Sequence, residues 1–454
     1  MHEHEEPLYL DFQSRFQAFD VDPIQKLVVL IEASYETPSY AQLHFRSLVH
    51  GKPHPLARLS TISIQLENSG PELVEEGASL EIQTEVAGNL LIAQCSWLDT
   101  KCDLYEVLIL DWISGVLLGR ICSRAICAPS VALLDKDHLA LYSATSRCQS
   151  KHPDVVALLV YQVPSNALSC GDANGHFETA PYTSLVPSLV LEFPRVQDPI
   201  IIHWTSSMRT GQGIGQIVFD GLVEFSRSRV PILDVKISLS NPESDFGAGG
   251  SSLETTYIPT YQVYVSTCHI FELLDHKGPG KVTLSWNQWG PRATRWFDDE
   301  RRRSPMAGSQ CIQWKARRRY QKLSSIEFNP PSIEQYLTPF PGNSSPAHDA
   351  RNRTKGTLSA THRRSIHEYR PLTPDMTRAS DKVPVEMFGT DSKSVFHVGF
   401  EELVESCLPY RVTAPGSRVP SCLFWELKGH RLLGRQVEKA DDPVMLPLLV
   451  YGLY

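Results

Sequence analysis

Short apolar runs rich in Val, Ile, Leu and Tyr, each bounded by Gly, Asp, Asn or Pro, recur along the chain and restrict what it can fold into. Residues 27–31 (LVVLI), 90–93, 107–110, 116–118, 139–142 and 155–163 are of this kind, as are 189–193, 200–204, 216–219, 232–239, 261–267 and 282–286. Such runs are too short for buried helices, and their β-branched content suits strands. Long amphipathic helical segments are nearly absent, and the best helix candidate is a short stretch around Phe400 to Ser406. A parallel sheet needs a crossover helix between its strands, so this pattern disfavours one and predicts an all-β chain of antiparallel strands.

A weak repeat runs through the series. A turn carrying Gly or Asp leads into an apolar strand, a loop, and a second strand that ends in another turn. The clearest copies are Gly88–Ala93 with 105–119, and Asp135–Tyr142 with 154–163; their strand starts, Leu90 and Leu139, lie 49 residues apart. That spacing suits one four-stranded propeller blade. Asp111-Trp112 with Ser114-Gly115 reads as a hairpin turn, with Gly115 supplying a positive φ and Asp111 accepting from its own turn. A plain antiparallel hairpin accounts for that motif equally well, so the repetition carries the expectation of an irregular β-propeller-like fold of about six or seven blades.

With 454 residues and 42% hydrophobic content, the chain can bury a large core. Residues 1–20 read as an N-terminal tail, 21–335 as the main part of the β domain and 386–454 as its closing strands. Residues 336–385 are Pro- and Ser-rich and basic, with few aliphatic side chains, and read as a disordered insertion. The first residues are acidic and polar, where an export signal needs a basic start and an apolar run. The apolar end at 443–454 is too short to span a bilayer and is interrupted by Pro447. These features predict an intracellular protein, cytoplasmic or nuclear, in which the ten cysteines stay reduced and Asn343 and Asn352 are not glycosylated. The cysteines show no C-x-x-C pair and no His/Cys zinc spacing, so neither a metal nor another cofactor is expected.

Several ordered segments resemble one protein family. Val21-Asp22-Pro23-Ile24-Gln25 with the following apolar run, Gly88-Asn89-Leu90-Leu91, and Leu108 to Trp112 with Gly115 are similar to the propeller-like region of F-box proteins from mushroom-forming fungi. So are Trp289-Gly290-Pro291-Arg292 with Thr294 to Phe297, Ile326 to Pro330, and Ser406 to Arg411. The resemblance spans residues from about 18 to 440. It implies a substrate-facing module whose fuller relatives are adaptors of cullin-type ubiquitin ligases. An F-box is a helical segment of some forty residues, and only about twenty precede the first strand run here. The resemblance therefore implies docking to Skp1 and cullin only if an F-box is supplied upstream.

Stretches that invite a catalytic reading have plainer explanations. Arg209-Thr-Gly211-Gln-Gly213-Ile-Gly215 precedes a strand run, whereas phosphate loops open a helix. Asp245-Phe-Gly247 matches a kinase metal motif in spelling only, without its companion motifs. No G-x-S-x-G or H-E-x-x-H occurs, and His138 and His203 lie in apolar runs that suit hydrogen-bonded core histidines. No catalytic or metal-ligating residue is assigned. A propeller hydrolase, whose ligands would converge from several blades, is the rival reading.

Charge is segregated: residues 292–378 carry seventeen Lys and Arg against eight Asp and Glu, while the remainder of the chain balances at −17. Arg301, Arg302, Arg303, Arg317, Arg318 and Arg319 could meet nucleic acid or serve as an import signal, though a solvated rim explains them more simply. Trp289, Arg292, Arg295 and Trp296 form the densest aromatic and arginine group, a composition common in protein-binding surfaces and equally in packed cores. Together these features predict a protein–protein interaction module whose partner contacts come from these ten residues, with nucleic acid and membrane disfavoured as partners.

Overall fold

The computed structural model describes residues 12, 16–33, 40–67, 79–98, 103–125, 130–145, 155–165, 169–170, 174–179, 181–203, 206–210, 217–220, 223–226, 229–240, 259–276, 278, 280–298, 306–316, 321–328, 364–366, 385–413, 418–419, 424–428, 431–435 and 448–452. The chain is mostly β, as its punctuated apolar runs require. Ala18–Asp22, Leu27–Ala33, Tyr40–Ser47 and Thr61–Gln65 form a first antiparallel meander, extended by His176–Glu178 lying parallel to its last strand. Ser79–Ala87, Leu90–Leu98, Asp103–Asp111 and Val116–Ala125 form a second. The third consists of Ser130–Leu133, His138–Thr145, Val155–Gln162 and Leu189–Glu192, with Val282–Leu284 added in parallel.

In the fourth sheet, Ile232–Ser240 pairs on one edge with Ser207–Thr210 and Ile201–Ile202, and on the other with Thr260–Ser266, which is followed by Thr294–Asp298. The fifth joins Met306–Ala307, Gln310–Ala316, Gln321–Glu327, Tyr410–Thr413 and Val385–Phe388, and reaches Arg364–Ile366 inside the stretch expected to be disordered. Phe424–Lys428, Arg431–Arg435 and Leu448–Gly452 form a sixth, three-stranded meander. Its last strand lies within the apolar C-terminal run that the sequence marked as a closing strand.

Side-chain alternation stacks these sheets face to face. Along Leu90–Leu98, Leu91, Ala93, Cys95 and Trp97 face the first sheet, where they meet Leu27, Val29, Leu43 and Phe45. Leu90 and Ile92 point the opposite way and share a core with Leu133, Leu139 and Leu141 of the third sheet. On the far side of the third sheet, Ala140, Tyr142 and Leu158 pack against Leu233, Val235 and Ile237 of the fourth. Tyr264 of the fourth sheet meets Cys311, Ile326 and Phe328 of the fifth. A strand buried on both faces loses the polar alternation of a half-exposed one, which is why the runs read as continuously apolar.

The turns follow the expected chemistry. Gly115 has φ +70°, and Asp111 Oδ1 accepts from the amides of Ile113 and Ser114 at 3.0 and 3.1 Å. Asp22 does the same for Ile24 and Gln25, at 2.9 and 3.1 Å. Trp112 donates Nε1 to the Gly88 carbonyl of its own sheet at 2.8 Å and meets the His54 ring, from beside the first sheet, edge-on at 5.1 Å. Among the described residues the two helices are short: α1, Thr267–His276, and α2, Trp286–Ala293. The helix expected around Phe400 to Ser406 is instead the strand Val404–Ser406, paired with Ser394–Phe396.

One charged pair is sealed inside the second sheet. Glu106 and Arg120 are both buried, and Arg120 Nε donates to Glu106 Oε1 at 2.7 Å. Arg120 Nη1 donates to the Tyr182 carbonyl at 2.6 Å, and Glu106 Oε2 accepts from the Glu67 amide at 3.2 Å, so the pair moors two loops to the sheet. Burial pushes the Glu106 carboxyl up to about 7. Arg120 also pairs with the half-exposed Glu67 carboxylate, so removing the arginine leaves the buried Glu106 carboxyl without its cation. Arg120→Met is therefore expected to destabilise the chain by about 3–5 kcal/mol, and the double variant with Glu106→Leu by less, measured as urea unfolding midpoints.

Candidate functional site

The aromatic and arginine group singled out in the sequence lies where α2 enters the strand Thr294–Asp298. Helix α2 is short because Pro291 cannot extend its hydrogen-bond ladder. Gly290 is required within it: a Cβ there would lie 2.1 Å from the Trp286 ring. Trp286, Trp289 and Trp296 gather around Phe193, with ring centroids 5.4–6.5 Å apart. Tyr261, Phe396 and Phe400 continue the cluster on the other side of Trp296. Trp289 also donates Nε1 to the Glu192 carbonyl at 2.9 Å.

Arg295 is 1% exposed, with no carboxylate among its hydrogen-bond partners in the described residues. Nε donates to the Leu408 carbonyl at 2.8 Å, and Nη1 to the Ser392 carbonyl at 2.6 Å and to Ser394 Oγ at 3.2 Å. The guanidinium lies 4.8 Å from the centre of the Tyr410 ring. Burial pulls it below its ordinary pKa, yet arginine stays charged at any working pH. Around it, the amides of Cys407 and Leu408 donate to the carbonyls of Pro291 and Thr294 at 2.7 and 2.9 Å, and the Trp296 amide donates to Ser406 Oγ at 3.1 Å. These bonds draw residues 404–408 out along the strand, which explains why the expected helix does not form there.

The result is a hairpin, Ser394–Phe396 with Val404–Ser406, riveted onto the aromatic cluster. Phe396, Val404 and Ser406 face inward; Val395 and Glu405 are cross-strand partners on the outer face. The connection is seated by Gly399, at φ +83° with Leu239 only 2.3 Å from where a Cβ would stand, and by Tyr261, whose hydroxyl donates to the Val398 carbonyl at 2.8 Å. Above this fixed base, Val395 is 50%, Val398 50% and Leu403 63% exposed. These three open aliphatic side chains thus lie on one short hairpin whose base is held in place.

The ten residues expected to meet a partner are thus divided. Trp289, Arg295 and Trp296 are buried and act from beneath the hairpin, and Arg292 is exposed. Arg301, Arg302, Arg303, Arg317, Arg318 and Arg319 lie outside the described residues. The exposed aliphatic residues of the hairpin escaped the sequence reading, since nothing local separates Val395, Val398 and Leu403 from core aliphatic residues.

A second constellation lies where first strands of successive sheets adjoin. Thr84 Oγ1 donates to Asp20 Oδ2 at 3.4 Å, and the Leu133 amide donates to Glu85 Oε2 at 3.3 Å. Glu85 Oε1 is buried without a hydrogen-bond partner among the described residues. Burial pushes Glu85 up to about 7, against the Leu133 amide and with the help of the Asp20 charge; burial likewise raises Asp20.

Elsewhere, His138 Nδ1 lies 2.9 Å from Asp135 Oδ1, and Arg209 Nε donates to Asp234 Oδ2 at 2.7 Å. The His203 amide donates to the Ser238 carbonyl at 2.7 Å, and the glycines at 211–215 and the stretch 245–250 lie outside the described residues. Among the described residues, no three His, Cys, Asp or Glu side chains are placed to hold a metal ion, and no helix is long and apolar enough to cross a membrane. No protein-family model and no curated protein matches the chain.

Two outcomes follow from this geometry. Glu85 keeps in the folded state a proton that the unfolded chain releases, so stability should fall as pH rises from 4.5 to about 7. Glu85→Gln should flatten that part of the profile, removing roughly 2–3 kcal/mol of pH dependence in urea titrations. Arg295→Met should loosen the hairpin first, seen as proteolytic cleavage within residues 392–408 well before global unfolding.

Proposed function

We propose that this chain is a protein-recognition module: an irregular β-propeller of about six or seven blades that presents the hairpin Ser394–Phe396/Val404–Ser406 to a protein partner. The observation that carries the reading is the exposure of Val395, Val398 and Leu403 on a base held by Arg295 and the Trp296 cluster. The propeller form is supported by consecutive antiparallel meanders packed face to face in chain order, each pair with its own core. Adjacent edge strands support it too: Ala18–Asp22 lies beside Ser79–Ala87, and Ser130–Leu133 beside Ser207–Thr210.

The similarity of several motifs to fungal F-box proteins gives this reading a specific form, the substrate-facing part of a ubiquitin-ligase adaptor acting in the cytoplasm or nucleus. Such a module works through shape and a few apolar anchors and uses no cofactor. The test is affinity purification of the tagged chain from its native cells. The double variant Val395→Asp/Leu403→Asp should lose the co-purifying partner while keeping the thermal midpoint within about 2 °C of the parent, because both side chains already face water. Recovery of the same partners by that variant would remove the hairpin from the reading. Recovery of Skp1 and cullin by a chain carrying an upstream F-box, and not by this one, is the expected result for the adaptor form.

A further inference from the structure

We infer that the hairpin takes a basic, aliphatic segment of its partner, one in which Lys or Arg side chains flank Val, Ile or Leu. This rests on the recognition role proposed above and names the chemistry of its ligand. The three open side chains are all aliphatic: Val395 stands on the first strand, and Val398 and Leu403 on the connection between the strands, Leu403 immediately before the second. The three side chains offer area but no hydrogen bond, so they select for apolar contact without fixing orientation.

Orientation comes from the rim. Asp391, Glu401 and Glu402 are exposed on the same segment, Asp391 four residues before Val395 and Glu401 and Glu402 immediately before Leu403. The Glu401 backbone is fixed, its amide donating to the Arg195 carbonyl at 3.0 Å. Lys393 is engaged with Glu405 at 2.7 Å, so it neutralises that carboxylate and not the other three. From residue 391 to 405 the formal balance is −3 with His397 neutral, which leaves acidic charge for a ligand to match. Carboxylates within a Debye length of a contact patch favour cationic partners and repel phosphate backbones, which argues for a polypeptide over a nucleic acid.

The test uses the full chain and a fluorescent, end-blocked peptide alternating Lys with Leu and Val. One control peptide replaces Lys by Glu, and another replaces Leu and Val by Ser. The basic aliphatic peptide should bind at least about tenfold more tightly than either control and weaken as salt is added. Leu403→Asp should lower that affinity about tenfold, and Glu401→Lys/Glu402→Lys should do the same while favouring the acidic peptide. Leu56→Asp, at another exposed aliphatic residue, should change nothing. Thermal unfolding of each variant confirms that the comparison is between folded proteins.

Equal binding of all three peptides, or an affinity indifferent to the hairpin variants, overturns the inference. If that happens while Val395→Asp/Leu403→Asp still loses its cellular partner, the ligand class is wrong and the recognition surface stands. If the cellular partner also survives, both fall.

Discussion

Everything proposed for this chain depends on one buried cation. Arg295 sits in the fourth sheet without a carboxylate partner in the described structure, and only main-chain carbonyls, a serine hydroxyl and an aromatic face offset the loss of its hydration. Those acceptors all belong to residues 392–410, nearly a hundred positions further along. The guanidinium is stable there only while that distant segment surrounds it, and the segment keeps its path only while the guanidinium draws in its carbonyls. A lysine could not replace it, because one ammonium cannot reach the Leu408 and Ser392 carbonyls in a planar fork.

The rest of the architecture places Arg295 correctly. The second, third and fourth sheets each share one core with the sheet before and another with the sheet after, so a residue there is located by its parity along the strand. In Thr294–Asp298, Trp296 points into the core with the third sheet, while Phe297 packs toward the fifth. Arg295 escapes that pattern of apolar contacts by reaching sideways to the returning hairpin. The same Trp296 cluster supports the hairpin from below, so the residues that hold the core also decide how firmly Val395, Val398 and Leu403 are presented.

Much of this was legible in the sequence. The apolar runs marked the central strands, the spacing of Leu90 and Leu139 marked the repeated meander, and Asp111 with Gly115 marked its turn, because each depends on local chemistry alone. Helix α1 was missed although Ile270, Phe271 and Leu274 recur at helical spacing; the adjoining β-rich run at 261–267 masked them. The strand Val404–Ser406 could not be read locally, since carbonyls claimed by Arg295 and amides tied to α2 decide it. The burial of Trp289, Arg295 and Trp296 was equally hidden, as cores and binding surfaces draw on the same residue types. The proposed binding surface consists of ordinary aliphatic side chains, and only tertiary position distinguishes them.

The central claim, that the hairpin face is where a partner binds, is tested most directly by placing a photo-crosslinking side chain at residue 403 and illuminating native cells. The account predicts a discrete covalent adduct with one protein from position 403 and none from position 56, an aliphatic site of similar exposure elsewhere on the chain. Adducts from position 56 alone, or the same unspecific ladder from both, would contradict it.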